Sequence, residues 1–445
     1  MAAPSSASNS GAAQWFGHPR GLSTLFFTEM WERFSYYGMR AFLILYMTAS
    51  VANGGLGFDD KHAASVYGNY VGAVWLTPIA GGLIADRLLG QYRSVLLGGS
   101  IIALGHFTLA FKTLSTFYAG LVLIVIGTGL LKPNVSTIVG SLYDEKDARR
   151  DAGFSVFYMG INLGAFIGPL IAGALAQKVN WHLGFAVAGI GMVLGLIQYV
   201  IGRPHIEPGL ARLAARPKRV TAAADAGGGL SAEEWKRIVA IFVLFVFASI
   251  FWGAYEQAGS TLNLFGDRYT QNTVFGFAYP SSWYVSVQAF FVITLSPAFA
   301  WLWIKLGPRE PSVPAKFALA LLFGGLAFLL LVPAGSIAQS GAGIKVSPLW
   351  LVGAYFIEEW GELCLSPVGL SAVTKLAPVR MVSLMMGVFF LSNSLGNKLA
   401  GWTAGFFSSM PLSQLFGAVS AVCLVSAVIM FVLIRPVKQL MGGVH

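Results

Sequence analysis

Several ionisable side chains lie inside segments that are otherwise apolar enough to cross a membrane. A charge at the centre of such a helix costs at least about 2.5 kcal/mol unless it is paired or hydrated. We therefore expect these charges to face a common aqueous cavity, in which protons and a charged solute can exchange partners. The ten residues are Glu29, Glu32, Arg33, Arg40, Lys132, Glu256, Glu358, Glu359, Glu362 and Lys398.

The first apolar segment carries a stripe of charged and aromatic residues. Its members are spaced by three, four or seven positions, which places them on one face of a helix. A carboxylate in this stripe can accept a proton, and the guanidinium groups can pair with anions. Alternatively, Glu29 and Arg33 only neutralise each other at the helix entrance. The stripe consists of Glu29, Arg33, Tyr36, Tyr37 and Arg40.

The later segments separate basic from acidic groups. Lys132 precedes a proline that is expected to kink its helix, and its ammonium needs a partner from the first helix or from a substrate. The C-terminal half supplies the carboxylates of Glu256 and Glu362. A zwitterionic peptide could thus place its carboxylate against the basic half and its ammonium against the acidic half. Either Glu358 or Glu359 could share the face of Glu362, and the spacing leaves both open.

The elements that position these residues are predicted to be membrane helices. Hydrophobic residues make up 56% of the chain and charged residues 11%, with a mean hydropathy of +0.68, which excludes a soluble domain. An all-α membrane protein with twelve helices is expected, because each apolar run can cross about 30 Å of hydrocarbon. The predicted spans are 22–51, 63–86, 94–111, 115–139, 153–176, 183–202, 238–262, 283–304, 316–335, 349–374, 383–408 and 413–435.

Basic residues are distributed unevenly between alternate loops. Of the 29 Lys and Arg residues, twenty fall in loops on one side of the predicted membrane and five on the other. Basic loops stay in the cytoplasm, so both termini are expected there. The same bias accounts for the formal net charge of +10 without a nucleic-acid partner.

One long interruption divides the spans into two groups of six. Two six-helix bundles joined by a linker are the plan of the major facilitator fold, in which substrate binds between the halves near the midplane. The expected parts are a cytoplasmic tail (1–21), an N-terminal bundle (22–202), a cytoplasmic linker (203–237), a C-terminal bundle (238–435) and a second cytoplasmic tail (436–445).

The loop after the second span contains an acidic and a basic residue among glycines. Asp86 and Arg87 lie in the segment 82–93, which looks like the cytoplasmic-loop signature of the same superfamily. We interpret this pair as a conformational latch between the bundles. The simpler alternative is a charged turn between two helices.

Four motifs, in order, resemble those of the proton-dependent oligopeptide transporters, and the resemblance covers nearly all of the chain. The linker lacks an apolar run long enough for extra helices, so the twelve-helix form is expected. The motifs are Glu29-x-x-Glu32-Arg33-Phe34-x-Tyr36-Tyr37-Gly38, Phe157-Tyr158-x-x-Ile161-Asn162-x-Gly164, Glu310-Pro311-Ser312-x-Pro314-x-Lys316-Phe317 and Gly361-Glu362-Leu363-x-x-Ser366-Pro367-Val368-Gly369-Leu370-Ser371.

The resemblance implies a set of proton-coupling residues. Lys132 would be a salt-bridge partner that releases when a proton or a substrate arrives. Glu256 would be a second protonation site, paired with Arg40 or Lys132. The implied set is Glu29, Glu32, Arg33, Lys132 and Glu256.

The resemblance also implies a substrate-binding set. Tyr37, Arg40 and Lys132 would hold the carboxyl end of a peptide. Asn162 and Glu362 would hold its amino end, and Trp252 would shape the pocket. The implied set is Tyr37, Arg40, Lys132, Asn162, Trp252, Glu256, Gln288, Glu362 and Phe389.

The chain departs from the family pattern at several of these positions. Gln288 stands where Asn is common, and its longer amide would reach further into the amino-terminal subsite. Phe389 replaces a common Trp and Trp75 a common Tyr. Glu358 and Glu359 replace residues that are usually uncharged.

The expected function is proton-coupled import of di- and tripeptides by alternating access, by a monomer in a bacterial inner membrane. Protons are the coupling ion, and no metal or other cofactor is expected. One alternative is transport of another small anion, although Glu362 favours a peptide with a free amino end. A second alternative, an intramembrane enzyme, is disfavoured because no span pairs a nucleophile with a base such as Ser with His.

Overall fold

Long helical segments cover each of the twelve predicted spans, which confirms an all-α membrane protein. The structure is a computed structural model that describes residues 14–144, 147, 149–215, 230–341, 343–378 and 381–442. Its helices are α1 (Gly21–Thr48), α2 (Asp60–Leu76), α3 (Pro78–Ile84), α4 (Gln91–Leu109), α5 (Leu114–Ser141), α6 (Arg150–Gly168), α7 (Ala174–Lys178), α8 (Trp181–Ile201), α9 (Arg203–Ala215), α10 (Ala232–Tyr255), α11 (Thr261–Arg268), α12 (Tyr284–Leu306), α13 (Val313–Ala338), α14 (Leu349–Leu376), α15 (Val382–Ala404) and α16 (Leu412–Leu440).

Eight helical segments in the described part of the chain are long and apolar enough to cross a membrane. The other predicted spans correspond to α1, α4, α14 and α15. Charged side chains interrupt the apolar sequence of α1 and α14, which lowers their hydropathy. Two of the four helices outside this set, α1 and α14, therefore carry the clusters of ionisable residues.

Three of the spans contain irregular turns. Wide π turns occur at Ala85–Leu89 and Pro169–Gly173, and a tight 3₁₀ turn at Glu256–Gly259 separates α10 from α11. Such turns shift the side chains that follow them and are common at functional sites. The last turn places Glu256 where a long membrane helix ends.

The linker and the C-terminal tail are more helical than the sequence predicted. Helix α9 occupies the start of the predicted linker, where Ile206 is buried and Arg212 Nη1 donates to the carbonyl of Leu142 at 2.9 Å. Helix α10 begins inside the linker at Ala232, and α16 continues through Pro436. A capping box at Ser231 explains the early start of α10. The rest of the predicted linker, 216–229, and the tail residues 1–13 and 443–445 lie outside the described residues.

A short hairpin precedes α1. Phe16 and Gly17 both have positive φ at its turn, as tight hairpins require. Arg149 Nη1 donates to the Gly17 carbonyl at 3.0 Å, and the His18 ring lies 3.0 Å from the Tyr143 hydroxyl. These contacts fix the hairpin to the N-terminal bundle. The strands are β1 (Gln14–Trp15) paired with β2 (His18–Pro19), and later β3 (Thr273–Val274) paired with β4 (Phe277–Ala278).

Each half of the chain forms its own packed bundle. In the N-terminal half α1 packs against α6 and α8, and α4 packs against α5. In the C-terminal half α13 packs against α14 and α16, and α10 packs against α15. Cys364 and Cys423 are free and buried in this second bundle, as expected of small packing residues.

The two bundles meet mainly through α2 with α15 and through α6 with α12. Gly68 of α2 faces Gly401 of α15 so closely that a Cβ atom at Gly68 would lie 2.9 Å from the Gly401 Cα. Further along the same contact, the Ser394 hydroxyl donates to the Gly72 carbonyl at 2.7 Å. Small residues here allow the helix backbones to approach.

Polar contacts close the interface at one end only. We call the ends after Asp60, which begins α2, and Asp86, which follows α3. At the Asp60 end, Arg268 donates two hydrogen bonds of 2.6 and 2.7 Å to the Asp60 carboxylate, which also accepts from Ser408. Gln177 donates to the Ser281 hydroxyl at 2.9 Å. Within the described residues, no hydrogen bond or ion pair joins the bundles at the Asp86 end.

Candidate functional site

Two carboxylates on α1 share one guanidinium. Arg33 Nη2 lies 2.6 Å from Glu32 Oε1, and Arg33 Nε bonds the other Glu32 oxygen and lies 3.3 Å from Glu29 Oε1. The three side chains are buried. The guanidinium carbon lies 5.0 Å from the centre of the Tyr36 ring. Two potential anions therefore face a single cation, so a proton or a second cation is needed for neutrality.

Lys132 of α5 does not form the ion pair that the resemblance implies. Its Nζ atom lies 3.4 Å from the centre of the Trp75 ring, and no described residue forms an ion pair with it. Arg33 already binds the carboxylates of α1, and an indole face attracts an ammonium. The half-buried Lys132 side chain thus has no ion-pair partner among the described residues and is available to an incoming anion.

Arg40 connects the two bundles. It forms an ion pair with Glu256, and its Nε atom donates to the Tyr67 hydroxyl at 2.5 Å. Both members of the ion pair are buried. Gly259 leaves room for this arrangement, because a Cβ atom there would lie 2.9 Å from Arg40 Nε. Of the two partners left open for Glu256 by the sequence, this state contains Arg40.

A cavity of about 50 Å³ lies beside this ion pair, between α1 and α6 of one bundle and α10 and α12 of the other. That volume holds a few water molecules. A peptide must therefore widen the cavity as it binds. Five predicted residues line it, namely Tyr37, Arg40, Asn162, Glu256 and Gln288, together with Ala165, Tyr255, Val285, Ala289 and Val292.

Other predicted substrate-binding residues do not belong to the lining of this cavity. Trp252 packs edge-on against Tyr255 with ring centres 5.3 Å apart, so it contacts the cavity through that tyrosine. Phe389 packs within the C-terminal core, where Gly369 gives it space. Glu362 is buried in α14 and has one carboxylate oxygen without a partner. Together with Lys132, these residues do not line the cavity in this state.

The predicted latch residues do not connect the bundles here. Asp86 and Arg87 are exposed, and Asp86 accepts a hydrogen bond of 2.8 Å from Gln91 in its own loop. Their expected partners in the C-terminal bundle are not reached, because this end of the interface has no polar contact in the described part of the chain. The observed geometry matches a charged turn.

Two groups of residues at the site were missed from the sequence. Tyr255 lines the cavity, and its position next to Glu256 in an aromatic stretch could have indicated this. Tyr67 and the Asp60–Arg268 pair gave no signal, because their partners are distant in the chain and only the packing of the bundles brings them together.

Comparisons with known proteins agree with the motifs. A family profile described as "POT family" matches residues 92–209 and 229–431. The "Uncharacterized transporter YclF" of Bacillus subtilis is 40% identical over 97% of this chain and 96% of its own length. A "Di-/tripeptide transporter" of Lactococcus lactis subsp. cremoris is 36% identical over 97% of this chain and 98% of its own. A crystal structure of a mutant peptide transporter POT in complex with alafosfalin superposes with a TM-score of 0.88 at 40% identity, covering 97% of both chains.

Proposed function

This chain belongs to the POT family, a family of multi-pass membrane transporters, and we propose that it imports di- and tripeptides together with protons by alternating access. The observation that carries this proposal is the buried ion pair between Arg40 and Glu256. It joins the two bundles at the wall of the cavity. A proton on Glu256 would replace Arg40 as the partner of that carboxylate, and a peptide carboxylate would replace Glu256 as the partner of Arg40.

The exchange of partners at Arg40 would couple the two cargoes. Protonation of Glu256 removes its negative charge, which frees the Arg40 guanidinium to bind the carboxylate of a peptide. Loss of the proton restores the ion pair and expels that carboxylate. Arg40 keeps one anion throughout, so its charge is never left buried and unpaired.

The cluster on α1 would provide a second protonation site. Glu29 and Glu32 share the single guanidinium of Arg33, so one of them can take up a proton without leaving a cation unpaired. Lys132 lies over Trp75 with its charge available to the carboxyl end of a peptide. Asn162 and Gln288 line the cavity and would orient the peptide backbone. Glu362 would receive the amino end once the cavity widens.

The closed Asp60 end and the Asp86 end, where the described residues form no polar contact between the bundles, describe one state of the alternating-access cycle. With both termini in the cytoplasm, the Asp86 end faces the cytoplasm, and the state is inward-facing. The Asp60–Arg268 bonds must break for peptides to enter from outside. Closure of the Asp86 end in the opposite state would then bring Asp86 and Arg87 near the other bundle.

The protein would act as a monomer in the lipid bilayer of a bacterial inner membrane. We propose neither a catalytic activity nor a nucleic-acid partner, and no cofactor beyond the transported protons. A membrane potential supplies about 2.3 kcal/mol per charge per 100 mV, so one or two protons suffice for accumulation.

Uptake by reconstituted protein tests this function. Proteoliposomes with an imposed pH gradient should concentrate labelled di-alanine, and amino-blocked di-alanine should not compete. Glu256→Gln should abolish the effect of the gradient, because a Gln side chain cannot carry the proton. Glu207→Gln is a matched control, since Glu207 is an exposed carboxylate that pairs with Arg203 in the same helix. Unchanged gradient-driven uptake by Glu256→Gln would contradict the mechanism.

A further inference from the structure

Two buried carboxylates beside the cavity have no role in this mechanism. Glu358 and Glu359 of α14 are 1% and 0% exposed. Glu358 Oε2 lies 3.5 Å from the Gln288 amide nitrogen, and Glu359 Oε1 accepts a hydrogen bond of 3.0 Å from the Tyr255 hydroxyl. The remaining oxygens, Glu358 Oε1 and Glu359 Oε2, have no partner in the described part of the protein.

These carboxylates form no ion pair with any basic residue that the structure describes. Arg33 is bound by the carboxylates of α1, and Arg40 is bound by Glu256. None of the ion pairs between described residues includes a carboxylate of α14. A buried, unpaired anion is costly, so the site requires either a proton or an external cation.

The two carboxylates lie directly behind the cavity wall. The donors to them among the described residues, Gln288 and Tyr255, both line the cavity, so displacing these neutral side chains opens the way to Glu358 and Glu359. A further buried polar group on the same helix also lacks a hydrogen-bond partner in the described structure, namely the hydroxyl of Tyr355. Tyr355 lies one helical turn before Glu358.

We propose that Glu358 and Glu359 form a subsite for a positively charged side chain of the transported peptide. An ammonium or guanidinium would take the place of the Gln288 amide at Glu358 and use the free oxygens of both carboxylates. The flexible four-carbon stem of lysine suits a site set back from the cavity. This subsite is separate from Glu362, which would hold the amino end of the peptide. The subsite would select peptides that contain Lys or Arg as a substrate class. This proposal rests on the proposed function.

Binding of two matched dipeptides to the purified full-length protein tests the subsite. Ala-Lys and Ala-norleucine have the same four-carbon side chain, and only Ala-Lys carries a terminal ammonium. A charged hydrogen bond contributes about 1.5–3 kcal/mol, so the wild type should bind Ala-Lys at least about tenfold more tightly. Glu358→Gln and Glu359→Gln should each reduce this ratio several-fold. Glu207→Gln, which alters an exposed carboxylate, should keep the wild-type ratio.

Each other outcome has a distinct meaning. A wild-type ratio near one, or a ratio that neither variant changes, overturns the subsite while leaving peptide transport intact. If the variants change the number of protons moved per peptide but not the ratio, the carboxylates hold protons and the subsite is again overturned. If neither di-alanine nor either test peptide binds, the proposed function itself fails. Retained di-alanine binding shows that a variant is folded.

Discussion

Arg40 brings together residues from both bundles. Its partner Glu256 lies at the end of α10, and its second contact, Tyr67, belongs to α2. The spacing along α1 predicts that Arg40 and Tyr37 share an inward face. It cannot predict the partner of Arg40, because Glu256 is placed by a 3₁₀ turn and by the packing of separate bundles. Face assignments therefore follow from helical periodicity, and ion pairs do not.

The neighbour of Lys132 was likewise not predictable from the spacing of residues in the sequence. Its partner was expected on α1, yet its ammonium lies over Trp75. The substitution of Trp for a common Tyr was visible in the sequence as a lost hydroxyl. In the structure, Trp75 instead presents the face of its indole ring to the Lys132 ammonium. This contact depends on the packing of α2 against α5, which the sequence does not reveal.

Removing the Lys132 ammonium should weaken peptide uptake. Lys132→Ala should lower gradient-driven uptake of di-alanine about tenfold, because the peptide carboxylate loses a charged partner. Lys398→Ala is the matched control, since Lys398 is exposed on α15. Uptake assays with equal amounts of reconstituted protein provide the measurement. Equal losses in both variants would argue against a role for Lys132 in binding.

At the scale of elements, the contact between α2 and α15 depends on residues without side chains. Gly68 and Gly401 lie backbone to backbone. Apolar length predicts that both helices exist, because any run of about 20 apolar residues must satisfy its backbone as a helix in lipid. It does not predict which helices touch. Nor does it predict α9, which is short and amphipathic and is stabilised by contacts with α5.

Adding one methyl group to this contact should destabilise the protein. Gly68→Ala places a Cβ atom against the backbone of α15 and should cost about 1–3 kcal/mol. Gly417→Ala is the control, because a Cβ atom there would lie 3.9 Å from its nearest described neighbour, a methyl carbon of Val332. Thermal unfolding in detergent should show a lower melting temperature for Gly68→Ala only. Equal melting temperatures of the two variants would mean that the close contact of α2 with α15 can widen without loss of stability.

For the whole molecule, the polar contacts between the bundles are asymmetric. The Asp60 end has a bidentate ion pair and further side-chain bonds, whereas the Asp86 end has none between described residues. Composition and repeated apolar spans predict the two-bundle architecture, because both reflect the lipid bilayer in which the chain folds. The state of the cycle leaves no such pattern, since the same sequence must stabilise both states.

Breaking the ion pair at the Asp60 end should shift the equilibrium between states. Arg268→Met leaves Asp60 without its guanidinium partner, so the population open at this end should rise about tenfold. Spin labels at Val51→Cys and Phe275→Cys, both exposed at this end, would report the change as longer distances. Lys345→Met is the control, because the hydrogen bonds that Lys345 donates in the described structure go to backbone carbonyls of its own bundle. An unchanged distance distribution in Arg268→Met would exclude the pair as a gate.

The one-sided closure also has a consequence for pharmacology. The polar contacts at the Asp60 end block entry there, so in the proposed cycle a bulky analogue that cannot cross lipid would reach the cavity from the Asp86 end. In the proposed orientation, with the Asp86 end in the cytoplasm, inside-out vesicles should be sensitive to such an inhibitor at once, whereas right-side-out vesicles should respond only as the carrier turns over. An inhibitor designed to bind this conformation must therefore cross the membrane before it can reach its site.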